Sequence, residues 1–295
     1  MLRKRLLRPR LPSMFMTNGR SIIPKMDELE LLTTENVLMK NCSVMFITET
    51  WLHPQIPDAA AELVDRTLHR YDKTKESGRT RGGGLCVYVH SGWCINSKII
   101  EMHCSPNVEI LAVSWRPFYL PRQLTVAILI AVYIPLDANV SNALSLLLTV
   151  VNKQRLARSD GVSIVAGDFN QACLRTVLKL VQYVHCATRG DKTLDHVQCN
   201  IKHAYTATPL PHLSKSDHFS LSLTSTYTTL RTKPETMTIN TCPEGALSQL
   251  QDCSSRTLWD LFDTDTVLCY IKNCTDMVTV NTDQGFCQPE TLDDQ

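Results

Sequence analysis

Apolar, β-branched runs recur along this chain, and each that matters ends on a polar residue or runs into one. V-M-F-I-T precedes Glu49, I-L-I-A-V precedes Tyr133, and S-I-V-A-G precedes Asp168. Such a run reads as a strand buried on both faces, and its end delivers a polar side chain to the rim of a sheet. L-C-V-Y-V after Gly82-Gly83-Gly84 reads as another strand, as do 108–118 and 124–134, which Y-L-P-R separates. Short strands joined by turn residues fit two packed sheets better than one open parallel sheet. Helical spacing of apolar residues marks a helix over 26–40 and a longer one over 139–157. The 43% apolar content is ample for the core this requires.

Charge divides the chain. Residues 1–25 hold seven Arg/Lys and no acid, and residues 66–81 hold six bases against two acids. Residues 226–295 hold four bases against eleven acids, so the net charge of +1 conceals a first part near +8. That excess suits a nucleic-acid partner. The texture turns Thr-rich and weakly periodic after Tyr227, save for an amphipathic stretch over 246–262, and a boundary is expected between Thr224 and Thr238. The expected organisation is a basic arm over 1–10, a domain over 11–227 and an acidic tail over 228–295. Twelve Cys without a C-x-x-C pair write neither a zinc ribbon nor a redox motif and read as reduced, mostly buried thiols. The basic N-terminus lacks the apolar core of a secretory signal, and the longest apolar stretch, 124–136, is short for a membrane span. The expectation is an intracellular protein, nuclear or cytoplasmic, not secreted and without a membrane partner.

Six short motifs fall in one order: Asn18 in T-N-G-R-S, Glu49 in I-T-E-T-W, Tyr133 in A-V-Y-I-P, Asp168 and Asn170 in G-D-F-N, Asp195 in T-L-D-H-V, and Asp217-His218 in K-S-D-H. Water attacks a phosphodiester slowly because it is a weak nucleophile, the phosphate is already negative and the leaving oxygen departs as an alkoxide. A carboxylate such as Asp168 can take the water's proton, and the amide of Asn170 can orient that carboxylate. Glu49 can hold a hard divalent cation through oxygen. His218 can donate to the phosphoryl oxygen as charge develops, with Asp195 fixing its ring. Singly, each has an ordinary explanation: a solvated strand end for Glu49, an Asx turn for G-D-F-N, a core aromatic for Tyr133, a turn residue for Asn18. The order of the set carries the argument.

This ordered set resembles the endonuclease/exonuclease/phosphatase superfamily, and most closely the endonuclease domain of non-LTR, LINE-type retrotransposons. T-E-T-W-L-H-P, R-G-G-G-L-C-V-Y-V, R-P-F-Y-L-P-R and A-G-D-F-N-Q-A carry the closer likeness, over about residues 11–227. The resemblance implies a deoxyribonuclease I-like α/β fold: a four-layer α/β sandwich of two packed mixed β-sheets flanked by helices. It implies a metal-dependent DNA endonuclease that nicks one strand to leave a 3′-hydroxyl and a 5′-phosphate. Mg²⁺, with Mn²⁺ as the alternative, is then held by Glu49 with Asp217 near it. Asp168 and Asn170 position the water, Asn18 and Tyr133 contact phosphate, and Asp195 pairs with His218. The tail is similar to the linker leading to a reverse transcriptase.

Three positions depart from the resemblance. Gly19 stands in N-G-R-S and is expected to loosen the strand presenting Asn18. H-V-Q-C, with Gln198, is expected to interrupt a buried strand. Arg20 replaces an acid that helps hold metal in apurinic endonucleases, which leaves the number of ions open. Gly82 to Gly84 lack the ending of a phosphate-binding loop and read as a turn. The competing reading is a catalytically idle, retrotransposon-derived remnant that binds nucleic acid or a protein partner. A third keeps the chemistry on a phosphoinositide or sphingolipid.

Overall fold

Two six-stranded sheets form most of the regular secondary structure among the described residues. The computed structural model describes residues 11–79, 82–118, 120–121, 123–173 and 180–227, with residues 248, 251, 252, 255 and 256 besides. The chain divides into two units, Met1–Thr229 and Leu230–Gln295. The basic arm and nearly all of the stretch expected to be amphipathic lie outside the described residues.

The first sheet contains β1 (Met14–Asn18), β2 (Val44–Thr48), β3 (Arg66–Tyr71), β4 (Leu85–His90), β11 (Tyr205–His212) and β12 (Phe219–Ser225), in the order β11-β12-β1-β2-β4-β3. The second contains β5 (Ser97–Cys104), β6 (Glu109–Trp115), β7 (Ala127–Tyr133), β8 (Val162–Asp168), β9 (Val181–Gln182) and β10 (Asp195–Cys199), in the order β5-β6-β7-β8-β10-β9. Each sheet has a single parallel pair, β1 with β2 and β7 with β8; the other pairs are antiparallel. A parallel pair needs a crossover, and helices supply both. The helices α1 (Met26–Glu35) and α2 (Val37–Lys40) link β1 to β2, and α3 (Val140–Ala157) links β7 to β8.

Strand alternation then builds the layers. Met14, Met16, Val44, Phe46, Val87 and Val89 point from the first sheet into one cluster with Leu111, Val113, Leu129, Ala131, Ile164 and Ala166 of the second. The intervening residues Phe15, Met45, Ile47 and Tyr88 pack with Leu29 of α1 and Met39 of α2 on the far side. Ile110, Ile128, Ile130 and Val132 pack with Ala143, Leu147 and Val151 of α3 on the other. Period two in the strands and 3.6 in the helices thus give helix, sheet, sheet, helix, the four layers that the resemblance implied. Fully burying one large apolar side chain of such a layer contributes about 1.5–3 kcal/mol.

Local chemistry modifies several expectations. The helix expected over 26–40 is two helices, because Asn36 leaves the helical region (ψ 117°) and its side-chain oxygen accepts from the N–H groups of Leu38 and Met39 as an N-cap. Asn139 caps α3 in the same way, accepting from Asn142 N–H. H-V-Q-C does not interrupt the sheet. Residues 195–199 form a fully buried central strand paired with β8, where His196 stacks on Phe169 at 5.1 Å and Gln198 is 2% exposed. Gly19 does not loosen β1: its N–H donates to Thr48 O at 2.7 Å, and a Cβ there would lie 2.9 Å from Ile47 Cγ2. Glycine lets the chain continue beside β2. Of the seven described Cys, all free, five are buried. Among the described residues no helix is long and apolar enough to cross a membrane.

Candidate active site

The two parallel pairs place their C-terminal ends at the same rim, where ligands of open α/β sheets characteristically lie. In the second sheet the register sets Glu109 beside Tyr133, Tyr133 beside Asp168, and Asp168 beside Asp195, so one rung of four polar side chains crosses β6, β7, β8 and β10. All four share parity with the apolar residues of the inter-sheet cluster, such as Leu111, Ala131, Ala166 and Val197. In the first sheet Asn18 pairs with Thr48 at the corresponding end. The site is therefore the polar top layer of an apolar core.

Asn18 joins the sheets. Its side-chain nitrogen donates to Asp168 Oδ2 at 2.8 Å and to Glu49 Oε1 at 3.1 Å, so one amide gathers carboxylates from residues 49 and 168. Glu49 follows β2 with φ 50°, half-buried, and its other oxygen accepts from the Trp51 indole N–H at 3.2 Å. Asn170 acts differently from the expectation. It lies past the strand with φ 47°, its backbone N–H donates to Asp168 Oδ1 at 3.0 Å, and its side-chain amide donates to Ile134 O at 2.8 Å. The backbone of the G-D-F-N turn, not the Asn side chain, orients Asp168.

His218 Nδ1 lies 2.7 Å from Asp195 Oδ2, with both side chains 2% exposed. Burial opposes a charge on the ring. The hydrogen bond and charge of Asp195, with Asp168 and Asp217 beyond, outweigh it and raise the imidazole above its ordinary value. Burial pushes the Asp168 carboxyl well up, and neighbouring Asp195 adds to this against the opposing pull of His218 and the Asn170 N–H. Burial likewise raises the Tyr133 phenol, helped by Glu49 and Asp168.

Asp217 stands apart from its expected role. Its oxygens pair with Arg20 at 3.1 Å and Arg189 at 2.6 Å, which hold its carboxyl below the usual range although burial alone would raise it. To ligate a cation it would first have to give up a guanidinium. Among the described residues, the group of potential ligand atoms that converges within 4.8 Å is Asp168, Asp195 and His218. Asp195 Oδ1 and Asn170 Oδ1 are buried without a hydrogen-bond partner, and the Asp168 and Glu49 carboxylates meet at one amide. Oxygen-rich, partly orphaned donors of this kind fit a hard divalent cation.

Glu109 is the residue that sequence reasoning missed. It is 2% exposed and accepts from Gly84 N–H at 2.6 Å; burial lifts its carboxyl to about 6. An acid opening the otherwise apolar run I-L-A-V was the available signal.

Two proton-binding groups raised by the fold give a pH dependence of definite sign. A raised folded value contributes stability that is present below the unfolded value and lost as pH rises through the folded one. In EDTA, the melting temperature of the parent should fall from pH 6 to 9 more than that of Asp195→Asn, which removes the charge raising both His218 and Asp168. At this size a loss of 1 kcal/mol moves the midpoint by about 2–4 °C. Parallel curves would refute this coupling.

No protein-family model and no curated protein matches the sequence. Solved structures do. The AP endonuclease LMAP from Leishmania major aligns over 74% of this chain and 89% of its own at 13% identity, with a TM-score of 0.54. An endonuclease/exonuclease/phosphatase family protein from Leptotrichia buccalis aligns over 74% and 100% at 13% identity, with a TM-score of 0.51. The 3′ phosphatase NExo from Neisseria, bound to a product DNA hairpin, aligns over 74% and 100% at 12% identity, with a TM-score of 0.51. The chain thus has the same fold as these endonuclease/exonuclease/phosphatase structures.

Proposed function

We propose that this protein is a divalent-metal-dependent phosphodiester hydrolase that nicks DNA, of retrotransposon origin, leaving a 3′-hydroxyl and a 5′-phosphate. The observation that carries the reading is the meeting at one rim of Glu49 and Asp168, which Asn18 joins, with the Asp195–His218 pair beside Asp168. The AP endonuclease and the DNA-bound phosphatase on the same fold support the substrate class. The basic excess of the first 225 residues supports a polyanion. Residues 11–227 carry the chemistry in this reading, and the acidic tail over 228–295 is the linker.

Asp168, aligned by the Asn170 backbone N–H and the Asn18 amide, accepts the proton of the attacking water. Its raised affinity for a proton suits that task. His218 has Nδ1 engaged by Asp195, which leaves Nε2 to donate to a phosphoryl oxygen as negative charge grows. Tyr133 stands between Glu109 and Asp168 in the rung and supplies a phenol donor to the phosphate. Mg²⁺ or Mn²⁺, held by Glu49 with Asp168 beside it, would neutralise charge on the phosphoryl and leaving oxygens. Asp217 contributes at the rim through its two arginines.

Incubating the protein with supercoiled plasmid, with and without Mg²⁺, tests the reading: relaxed circles should form only with the metal, and none in either case would overturn it. Glu49→Gln keeps the side chain's shape and removes its charge, so the Mg²⁺ midpoint for nicking should rise by about 10- to 100-fold and activity should return in part at high Mg²⁺. An unchanged midpoint would place the cation elsewhere.

A further inference from the structure

An acid inside a packed sheet costs free energy unless something accepts the charge, so a buried Glu109 asks what it holds. Its carboxylate accepts from Gly84 N–H at 2.6 Å, the last residue of the Gly82–Gly84 turn, in which φ is 80°, 80° and 88°. Only glycine fits there: a Cβ on Gly83 would lie 2.2 Å from Glu109 Oε1, and one on Gly84 would lie 2.5 Å from Thr50 Oγ1. The turn is therefore shaped around the carboxylate.

The other side of the turn faces the segment after Glu49. Gly84 O accepts from Thr50 N–H at 3.2 Å, and Gly83 O accepts from Trp51 N–H at 3.0 Å. Glu49 and Trp51 both have positive φ, 50° and 55°, a conformation that persists only where surrounding bonds impose it. On the opposite flank Ser21 N–H donates to Glu49 O at 3.0 Å. Held so, Trp51 directs its indole N–H to Glu49 Oε2. A continuous path runs from Glu109 through Gly84 and Gly83 to Thr50 and Trp51, and from there to the Glu49 carboxylate.

We propose that Glu109 is a positioning residue which, by anchoring the Gly83–Gly84 turn, fixes the strained Glu49–Trp51 backbone and aims Glu49 at its cation. This rests on the reading that Glu49 holds the metal. Glu109 touches no substrate in this account. Its role depends on an oxygen acceptor at the right place and not on charge.

The test uses the full chain, with Mn²⁺ binding followed by calorimetry and hydrogen exchange of the Thr50 and Trp51 amides followed without metal. Glu109→Ala should speed exchange at both amides and weaken Mn²⁺ binding by about 10- to 100-fold, the usual range for groups that orient a ligand. Glu109→Gln keeps an oxygen for Gly84 N–H and should remain within about threefold of the parent in Mn²⁺ affinity, because only the acceptor is required. Gly83→Ala keeps Glu109 but displaces the turn, and should reproduce the defect. Leu111→Ala on the same strand should lower the melting temperature and leave Mn²⁺ affinity alone, which separates positioning from general loosening. If Glu109→Ala fails to fold, Gly83→Ala and Glu109→Gln decide. Parent-like exchange and Mn²⁺ affinity in Gly83→Ala or a folded Glu109→Ala, with Glu49→Gln weakened, would overturn this inference alone. A Glu49→Gln protein that binds Mn²⁺ like its parent would overturn the metal reading and, with it, the purpose assigned to Glu109.

Discussion

Asp168→Asn and His218→Gln should each lower the plasmid-nicking rate by about 10²- to 10⁴-fold, the range for removing one group that moves a proton or stabilises developing charge. Asparagine keeps the shape of Asp168, and glutamine keeps a polar N–H donor at position 218, which matters because both residues are buried: Asp168 is 1% exposed and His218 2%. Alanine would confuse two effects. His218→Ala would leave Asp195 as a buried carboxylate without its ring partner, a change that commonly costs about 3–5 kcal/mol. These polar replacements should keep the parent's circular dichroism while losing turnover. A variant of either position that nicks within about threefold of the parent would remove that residue from the chemistry.

Gly167→Ala should be the most damaging single methyl that can be added near the site. Gly167 pairs with Val132 on one side and His196 on the other, and a Cβ built on it lies 1.8 Å from Val132 O and 2.8 Å from Val132 N. These are backbone atoms, which cannot rotate away. The strand carrying Asp168 would have to leave the strand carrying Tyr133, so both stability and nicking should be lost. Overpacking costs typically 1–3 kcal/mol where side chains can adjust, and here about 3 kcal/mol or more is expected. Urea unfolding measures the first loss and plasmid relaxation the second. A variant within about 0.5 kcal/mol of the parent, the range of an indifferent surface change, would show that the register between β7 and β8 is wrong.

What the sequence revealed of this architecture depended on where a strand lies in its sheet. The central strands β2, β4, β6, β7 and β8 are buried on both faces and announce themselves as apolar runs. The strands left unread, β3, β5, β9 and β11, are the four sheet edges. Their residues are largely half-buried or exposed, as in R-T-L-H-R-Y and Y-T-A-T-P-L-P-H, so period-two alternation is diluted by polar side chains. Pro209 and Pro211 argue against a central strand and are tolerated at an edge. Buried His196 and Gln198 misled in the opposite direction: polar letters suggested an interruption where the fold keeps a central strand. Five positions of the candidate site were named by motif order and are brought together at the rim: Asn18, Glu49, Asp168, Asp195 and His218. Asn170 also meets Asp168, but through its backbone N–H rather than its side-chain amide, a matter of backbone torsion that no spacing reveals. The ion pairs of Asp217 join residues 20, 189 and 217, and pairing across such separations is written only in three dimensions.

The position of β1 also bears on how the protein comes into being on the ribosome. β1 lies between β2 and β12, so one of its hydrogen-bonding edges waits for residues 219–225, synthesised some two hundred positions later. Until they emerge, M-F-M-T-N exposes an unpaired apolar edge of the kind that recruits other chains. Asn18, on that strand, is also the group that draws the Asp168 and Glu49 carboxylates together. The nascent polypeptide therefore completes its candidate site only as β12 docks, and until then it is prone to self-association.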